Sequence, residues 1–299
     1  MTPVDDDGAA TARPFTLVAD DGYGLAATEF CGPTPAAGTP LTVIAPAAAV
    51  PARYYARFAS YLAWRGGGPV VTFDYRGIGA SAPKTLRGFP ARMRDWCCLD
   101  AAGAIGWARQ THPERPLHWL GHSLGGFAPG LAHNNGAIAR QLNIATLSGY
   151  WGRMRSPERY RVRFLMGSAA PPVVRLLGFF PGVLMGGENM PAPAFLEWTR
   201  WCMMPDFIFG DPTLSEVRHF ATLKAPVRFA QIADDVWGTP AAVGHMASHF
   251  SANSERSIWR VSLAEAKAKR IGHLGFFRSA FRATLWPAAA AWLEGSAPD

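Results

Sequence analysis

The stretch PLHWLGHSLGG, residues 116–126, constrains the fold of this chain more than any other. A short apolar run reads as a strand, and the adjoining SLGGFAPGLAHNNG begins a helix. A chain that changes from strand to helix over so few residues must turn sharply. Such a turn holds its central residue, here Ser123, in a conformation that side chains rarely adopt, and the flanking glycines relieve the crowding. The Ser123 hydroxyl then projects above the sheet edge. The N–H groups that open the helix face the same point, where they and the helix dipole favour negative charge.

The surrounding chain alternates in the same way. FTLVADDGYGLAATEF reads as a hairpin across Asp21-Gly22. LTVIAP and PVVTFDY are short β-branched runs, hence buried strands. Between them ARYYARFASYLAWRGGG has helical spacing, with Tyr54, Phe58, Tyr61 and Leu62 on one face and glycines to end it. RDWCCLDAAGAIGWARQ reads as another helix and NIATLSGY as another strand. From Trp151 to Pro212 the chain is dense in Pro, Gly, Met and aromatics, with short helices and no good strand. The alternation resumes with a strand in APVRFAQIADD, a helix in PAAVGHMASHF and a strand in SERSIWRVSL, and a helix over about 276–293 closes it. Alternating strands and helices predict an α/β fold with a mostly parallel central sheet flanked by helices.

Composition narrows the function classes. Apolar residues make up 49% and charged residues 17% of the 299, a globular balance. The net charge of +7 comes from scattered basic residues, without the run or motif of a nucleic-acid binder. The four cysteines, Cys31, Cys97, Cys98 and Cys202, have no metal-ligand spacing, and Cys97 and Cys98 read as packing residues. No metal or organic cofactor is implied. The polar, acidic start is unlike a signal peptide, and no apolar run is long enough to span a membrane. The expected setting is a reducing cytoplasm.

GHSLGG after a strand, DYRGIGAS at residues 74–81, ADD at 233–235, ENMPAPAFLEWTRWC at 188–202 and IGHLGFFR at 271–278 together resemble the α/β-hydrolase superfamily, and within it a branch of predicted hydrolases ending in GHxGFF. The resemblance runs over nearly the whole chain. It implies an acyl-transferring serine enzyme in which Ser, then Asp or Glu, then His occur in that order. It also implies a helical cap inserted after the sixth strand. The expected organisation is a disordered tail over 1–13, a core over 14–150, a cap over 151–212 and the rest of the core over 213–299.

Serine needs a base, and the base needs an orienting carboxylate. His273 is the last histidine and comes after the last predicted strand. Gly272 and Gly275 allow a tight loop around it, and Phe276 and Phe277 can anchor the next helix in the core. His112, His118, His122, His133, His219, His245 and His249 read as structural or solvated. The acid is Asp235 or Asp234, and the family's spacing to a later proline, here Pro240, favours Asp235. For the oxyanion hole, one N–H is expected from Leu124 and the other from the loop APAAAVP. Pro46 has no N–H, so Ala48 is preferred, with Ala47 as the alternative. Many relatives carry His-Gly in this loop, and this chain does not.

The sequence therefore predicts a hydrolase of carboxylic esters, thioesters or amides acting on a small acyl substrate through an acyl-enzyme. Two alternatives remain open: an acyltransferase or cyclising thioesterase with the same intermediate, and a binding protein on the same fold. Glu188 and Glu197 in the cap are expected on a solvated face or in salt bridges to nearby arginines rather than on substrate.

Overall fold

The computed structural model describes residues 10–33, 38–184, 186–250 and 255–295. Ten strands occur among them: β1 Thr11–Val18, β2 Gly24–Cys31, β3 Leu41–Ala45, β4 Val70–Phe73, β5 Leu117–His122, β6 Ile138–Ile144, β7 Phe179–Phe180, β8 Met190–Pro191, β9 Val227–Ile232 and β10 Arg256–Val261. Eight of them form one sheet in the order β1-β2-β4-β3-β5-β6-β9-β10. The β1–β2 and β2–β4 pairs are antiparallel, and the pairs from β4 through β10 are parallel.

Central strands β3, β4 and β5 are buried along their whole length, as continuous apolar runs require when helices cover both faces. Successive side chains point to opposite faces. Val43 and Trp119 therefore join one apolar layer, while Ile44 and Leu120 join the other. The second layer also holds Phe58, Phe276, Phe277 and Trp286. The helix Ala56–Gly66 ends at Gly67, which takes a left-handed φ of 65° and returns its N–H to Ala63. Tyr55, fully buried, takes the inward place expected for the half-buried Tyr54.

The loop after β4 is built around Asp74. Its carboxylate accepts from Ala52 N–H (2.6 Å) and Ala80 N–H (2.9 Å). Gly79, at φ 53°, passes so close that a Cβ would lie 2.4 Å from that carboxylate. Asp74 thus ties the DYRGIGAS loop to the end of the loop after β3. Next to it, Arg76 joins Asp100 and Asp21.

Four local expectations are corrected. β1 begins at Thr11, so residues 11–13 of the expected tail pair with β2, and residues 1–9 lie outside the described residues. β6 spans Ile138–Ile144, earlier than NIATLSGY, because Ala145 takes a φ of 51° and turns the chain out of the sheet. The closing helix starts at Leu285. Arg278 is extended (ψ 141°), and the carbonyl of Phe276 accepts from the Trp286 indole instead of a helical N–H. The segment 151–212 contains a two-stranded pairing, β7 with β8, besides its helices.

That segment otherwise consists of a continuous helix over 158–177, with one wide turn at Leu165–Ala169, and a second helix, Ala192–Met203. Four of its acids, Glu158, Glu188, Glu197 and Asp211, are engaged by arginines, and Asp206 lies 3.6 Å from His245. Glu188 pairs with Arg53, and Glu197 with Arg94 (2.6 Å). Burial opposes charge on Asp211, but bonds from Trp201, Arg200 and Thr213 hold its carboxyl below the ordinary range. Among the described residues no helix is long and apolar enough to cross a membrane.

Candidate active site

Ser123 comes directly after β5 with φ 52° and ψ −112°, a conformation that costs a residue with a side chain about 1–3 kcal/mol. The surroundings enforce it. Ser123 N–H donates to Ile144 (2.9 Å), and its carbonyl accepts from Thr146 Oγ1 (3.0 Å). A Cβ at Gly121 would sit 2.3 Å from the Gly125 backbone, and one at Gly125 would sit 2.1 Å from the Ala45 carbonyl. Both glycines are therefore demanded by backbone packed on backbone. The helix behind is short: Leu124–Phe127 continues as a 3₁₀ turn, Ala128–Leu131, where Pro129 lacks an N–H.

His273 lies in the turn Gly272–Gly275, entered through Gly272 at φ 67°. Its Nδ1 is 2.7 Å from Oδ2 of the buried Asp235. Burial works against charge on Asp235, but the imidazole and the N–H groups of Gly238 and Trp237 outweigh it. Its carboxyl is held below the usual range. With Nδ1 donating to this carboxylate, Nε2 of His273 is left as an acceptor.

The neighbouring acid has another task. Asp234 accepts from the N–H groups of Ile271 (3.0 Å) and Gly272 (2.9 Å), so it fixes the backbone that enters the histidine turn. One carboxylate holds the ring and its neighbour holds the loop. The Trp237 ring packs edge-on against His273, with centroids 4.8 Å apart.

Ser123, Leu124, Ala47, Ala48 and His273 all line one cavity of about 240 Å³. Among the described residues no hydrogen bond joins the Ser123 and His273 side chains. Apart from Arg161 the rest of the lining is apolar, with Met93, Phe127, Met166, Phe195, Trp198 and Phe207. The β3 loop offers two candidate donors, and they differ. Ala47 N–H is spent on the Tyr55 hydroxyl (2.9 Å), and both alanines line the cavity.

Tyr55 and His122 were not singled out as site residues by sequence. His122 is fully buried, between Tyr55 Oη (2.7 Å, at Nδ1) and the carbonyl of His273 (2.9 Å, at Nε2). A carbonyl only accepts, so the proton sits on Nε2, and Nδ1 accepts from the tyrosine. Burial, and His273 nearby, push His122 down to about 3, so the ring is neutral. A directed chain results: Ala47 N–H to Tyr55, Tyr55 O–H to His122, His122 N–H to the His273 carbonyl. It links the β3 loop to the histidine turn beneath Ser123. The position of His122 beside the serine was a possible signal, but nothing in the sequence marked Tyr55.

Residues 41–159 match the family model of serine aminopeptidase, S33. No curated protein matches the sequence. Among solved structures, a soluble variant of monoglyceride lipase from Saccharomyces cerevisiae superposes with a TM-score of 0.64 at 14% identity, covering 100% of each chain. An esterase of Pyrococcus furiosus gives a TM-score of 0.58 at 13% identity, over 96% of this chain and 93% of that one. A thioesterase domain from the curacin biosynthetic pathway gives 0.53 at 13% identity, over 96% of this chain and 100% of that domain. At these identities the likeness shows a shared fold.

Proposed function

We propose that this chain, which has the α/β-hydrolase fold and matches the serine aminopeptidase, S33, family model over residues 41–159, is a serine hydrolase that cleaves esters of apolar carboxylic acids, with Ser123 as nucleophile, His273 as base and Asp235 as the orienting acid. One observation carries the reading: the 2.7 Å contact of His273 Nδ1 with buried Asp235, in the wall of the cavity that Ser123 lines.

His273 Nε2 takes the Ser123 proton as Oγ bonds to the substrate carbonyl carbon. Negative charge moves to the carbonyl oxygen, where the N–H groups of Leu124 and Ala48 stabilise it. The tetrahedral adduct collapses, His273 returns the proton to the leaving alcohol, and an acyl-serine remains. Water, deprotonated by His273, attacks the acyl carbon, and Ser123 recovers its proton as the acid departs. Asp235 stays ionised and keeps the imidazole in the required tautomer.

The cavity favours esters over aminopeptidase substrates. A free amine calls for a carboxylate, and among the described lining residues there is none. Glu188 and Glu197 are turned to arginines. Residues 151–212 act as the lid, because Met154, Val162 and Met166 from that segment line the cavity together with Ser123.

A fluorophosphonate probe should label the wild type and neither Ser123→Ala nor His273→Ala. Absence of labelling, together with failure to cleave p-nitrophenyl acetate, would leave a binding protein on this fold. Product analysis with an added alcohol or amine separates hydrolysis from acyl transfer.

A further inference from the structure

Exposed apolar side chains are concentrated in one part of this molecule. Eleven large hydrophobic residues are exposed among the described residues, and seven of them lie between positions 160 and 184. On the helix over 158–177, Val162, Met166 and Val174 face inward, while Tyr160, Phe164, Val173 and Leu176 face solvent. Phe164 is 65% exposed and Leu176 78%; Val183, in the turn after β7, is 84% exposed. A patch of this kind on a folded monomer marks an interaction surface.

Two further observations say what covers it. The first is charge. Between Trp151 and Gly187 the chain carries six arginines and one acidic residue, Glu158. That acid is already held by Arg161 and the Trp237 indole. Arg159, Arg163 and Arg175 accompany the exposed apolar positions on the same helix. The second is continuity with the cavity: Leu165 and Leu184 are exposed and also line it. The outer apolar surface thus runs into the inner one at the mouth.

We propose that this face docks on a lipid bilayer that bears anionic headgroups. An amphipathic helix with aromatic and aliphatic side chains on its outer face and arginines beside them lies in the plane of such an interface, apolar groups in the acyl boundary and cations at the phosphates. A second copy of the chain fits poorly, because a two-fold contact would set the same arginine-rich surface against itself. Docking presents the cavity mouth to the lipid phase, from which an apolar acyl substrate can enter without crossing water. The docking surface is independent of the catalytic assignment, and its deciding readout is vesicle binding, with turnover serving only as a control.

The experiment is vesicle flotation of the whole protein, with phosphatidylcholine vesicles and with vesicles that also contain phosphatidylglycerol, at low and high salt. Wild type should float with the anionic vesicles at least about tenfold better than with the neutral ones, and salt should weaken the difference. Phe164→Ser/Leu176→Ser/Val183→Ser and Arg159→Gln/Arg163→Gln/Arg175→Gln should each lower partitioning by about tenfold or more, with melting temperature and turnover of a soluble p-nitrophenyl ester unchanged. The single variant Leu176→Ser, at the most exposed of the large apolar positions on the 158–177 helix, should weaken binding severalfold and guards against misfolding of the triple variants. No flotation of wild type, equal flotation on both vesicles, or a concentration-dependent dimer that the apolar triple variant abolishes would each overturn the proposal.

Discussion

The Tyr55 hydroxyl lies 2.7 Å from Nδ1 of His122, and both groups are fully buried. Through this pair the loop after β3 and the turn that carries His273 are held in one hydrogen-bonded chain. Tyr55→Phe removes a single oxygen and leaves Ala47 N–H and His122 Nδ1 without partners. Each unsatisfied buried group costs about 1–3 kcal/mol. Urea unfolding should register that loss. As a positioning residue, Tyr55 should also affect kcat more than KM, and a merely structural role would leave the kinetics of the folded fraction unchanged.

Asp235 and Asp234 are adjacent but should behave differently. Asp235→Asn removes the acceptor for His273 Nδ1–H and favours the wrong tautomer, so kcat should fall by about 10⁴-fold with the fold intact. Asp234→Asn loosens the backbone at Ile271 and Gly272 and should cost no more than about 100-fold, through misplacement of the ring. Steady-state ester kinetics on the two variants decide the assignment, and a reversed ranking would transfer the role to Asp234.

Acid stability should report two buried histidines that take no proton in the reaction. Burial pushes His122 down to about 3 and His118 down to about 4, against an ordinary value of 6.5. Both are neutral in the folded chain, while the unfolded chain binds their protons below 6.5. The contribution of these two groups to stability should therefore be flat above neutral pH and fall as pH drops from 6.5 toward 4. The slope is at most roughly 1.4 kcal/mol per pH unit for each group. Urea midpoints measured across that range should show it, and His118→Gln should make the slope shallower.

Acyl specificity should track the cavity walls. Each buried methylene contributes about 0.8 kcal/mol, or roughly fourfold in kcat/KM. A series of p-nitrophenyl esters should therefore rise with chain length until the cavity is full and then level off. Met166→Trp, which fills part of the wall, should move the optimum to shorter acids. A profile that is flat in both proteins would place the acyl group elsewhere.

Much of the fold was legible because it rests on local patterns. The β-branched runs 41–45 and 70–73 announced strands buried on both faces, and GHSLGG announced a strand-to-helix turn, since only glycine admits the backbone contacts at Gly121 and Gly125. Boundaries were less legible where a single backbone torsion or a distant partner decides them. Ala145 ends β6 by its φ, and Trp286 captures the carbonyl of Phe276.

The site divides along the same line. The order of Ser123, Asp235 and His273 along the chain, and the glycines beside two of them, are properties of sequence. Which of two neighbouring aspartates faces the imidazole, which alanine N–H is already spent, and that Tyr55 and His122 join the loops are decided only when strands far apart in the chain come together. Hydrogen bonds of this kind depend on direction and on a few tenths of an ångström, and neither is carried by residue identity or spacing.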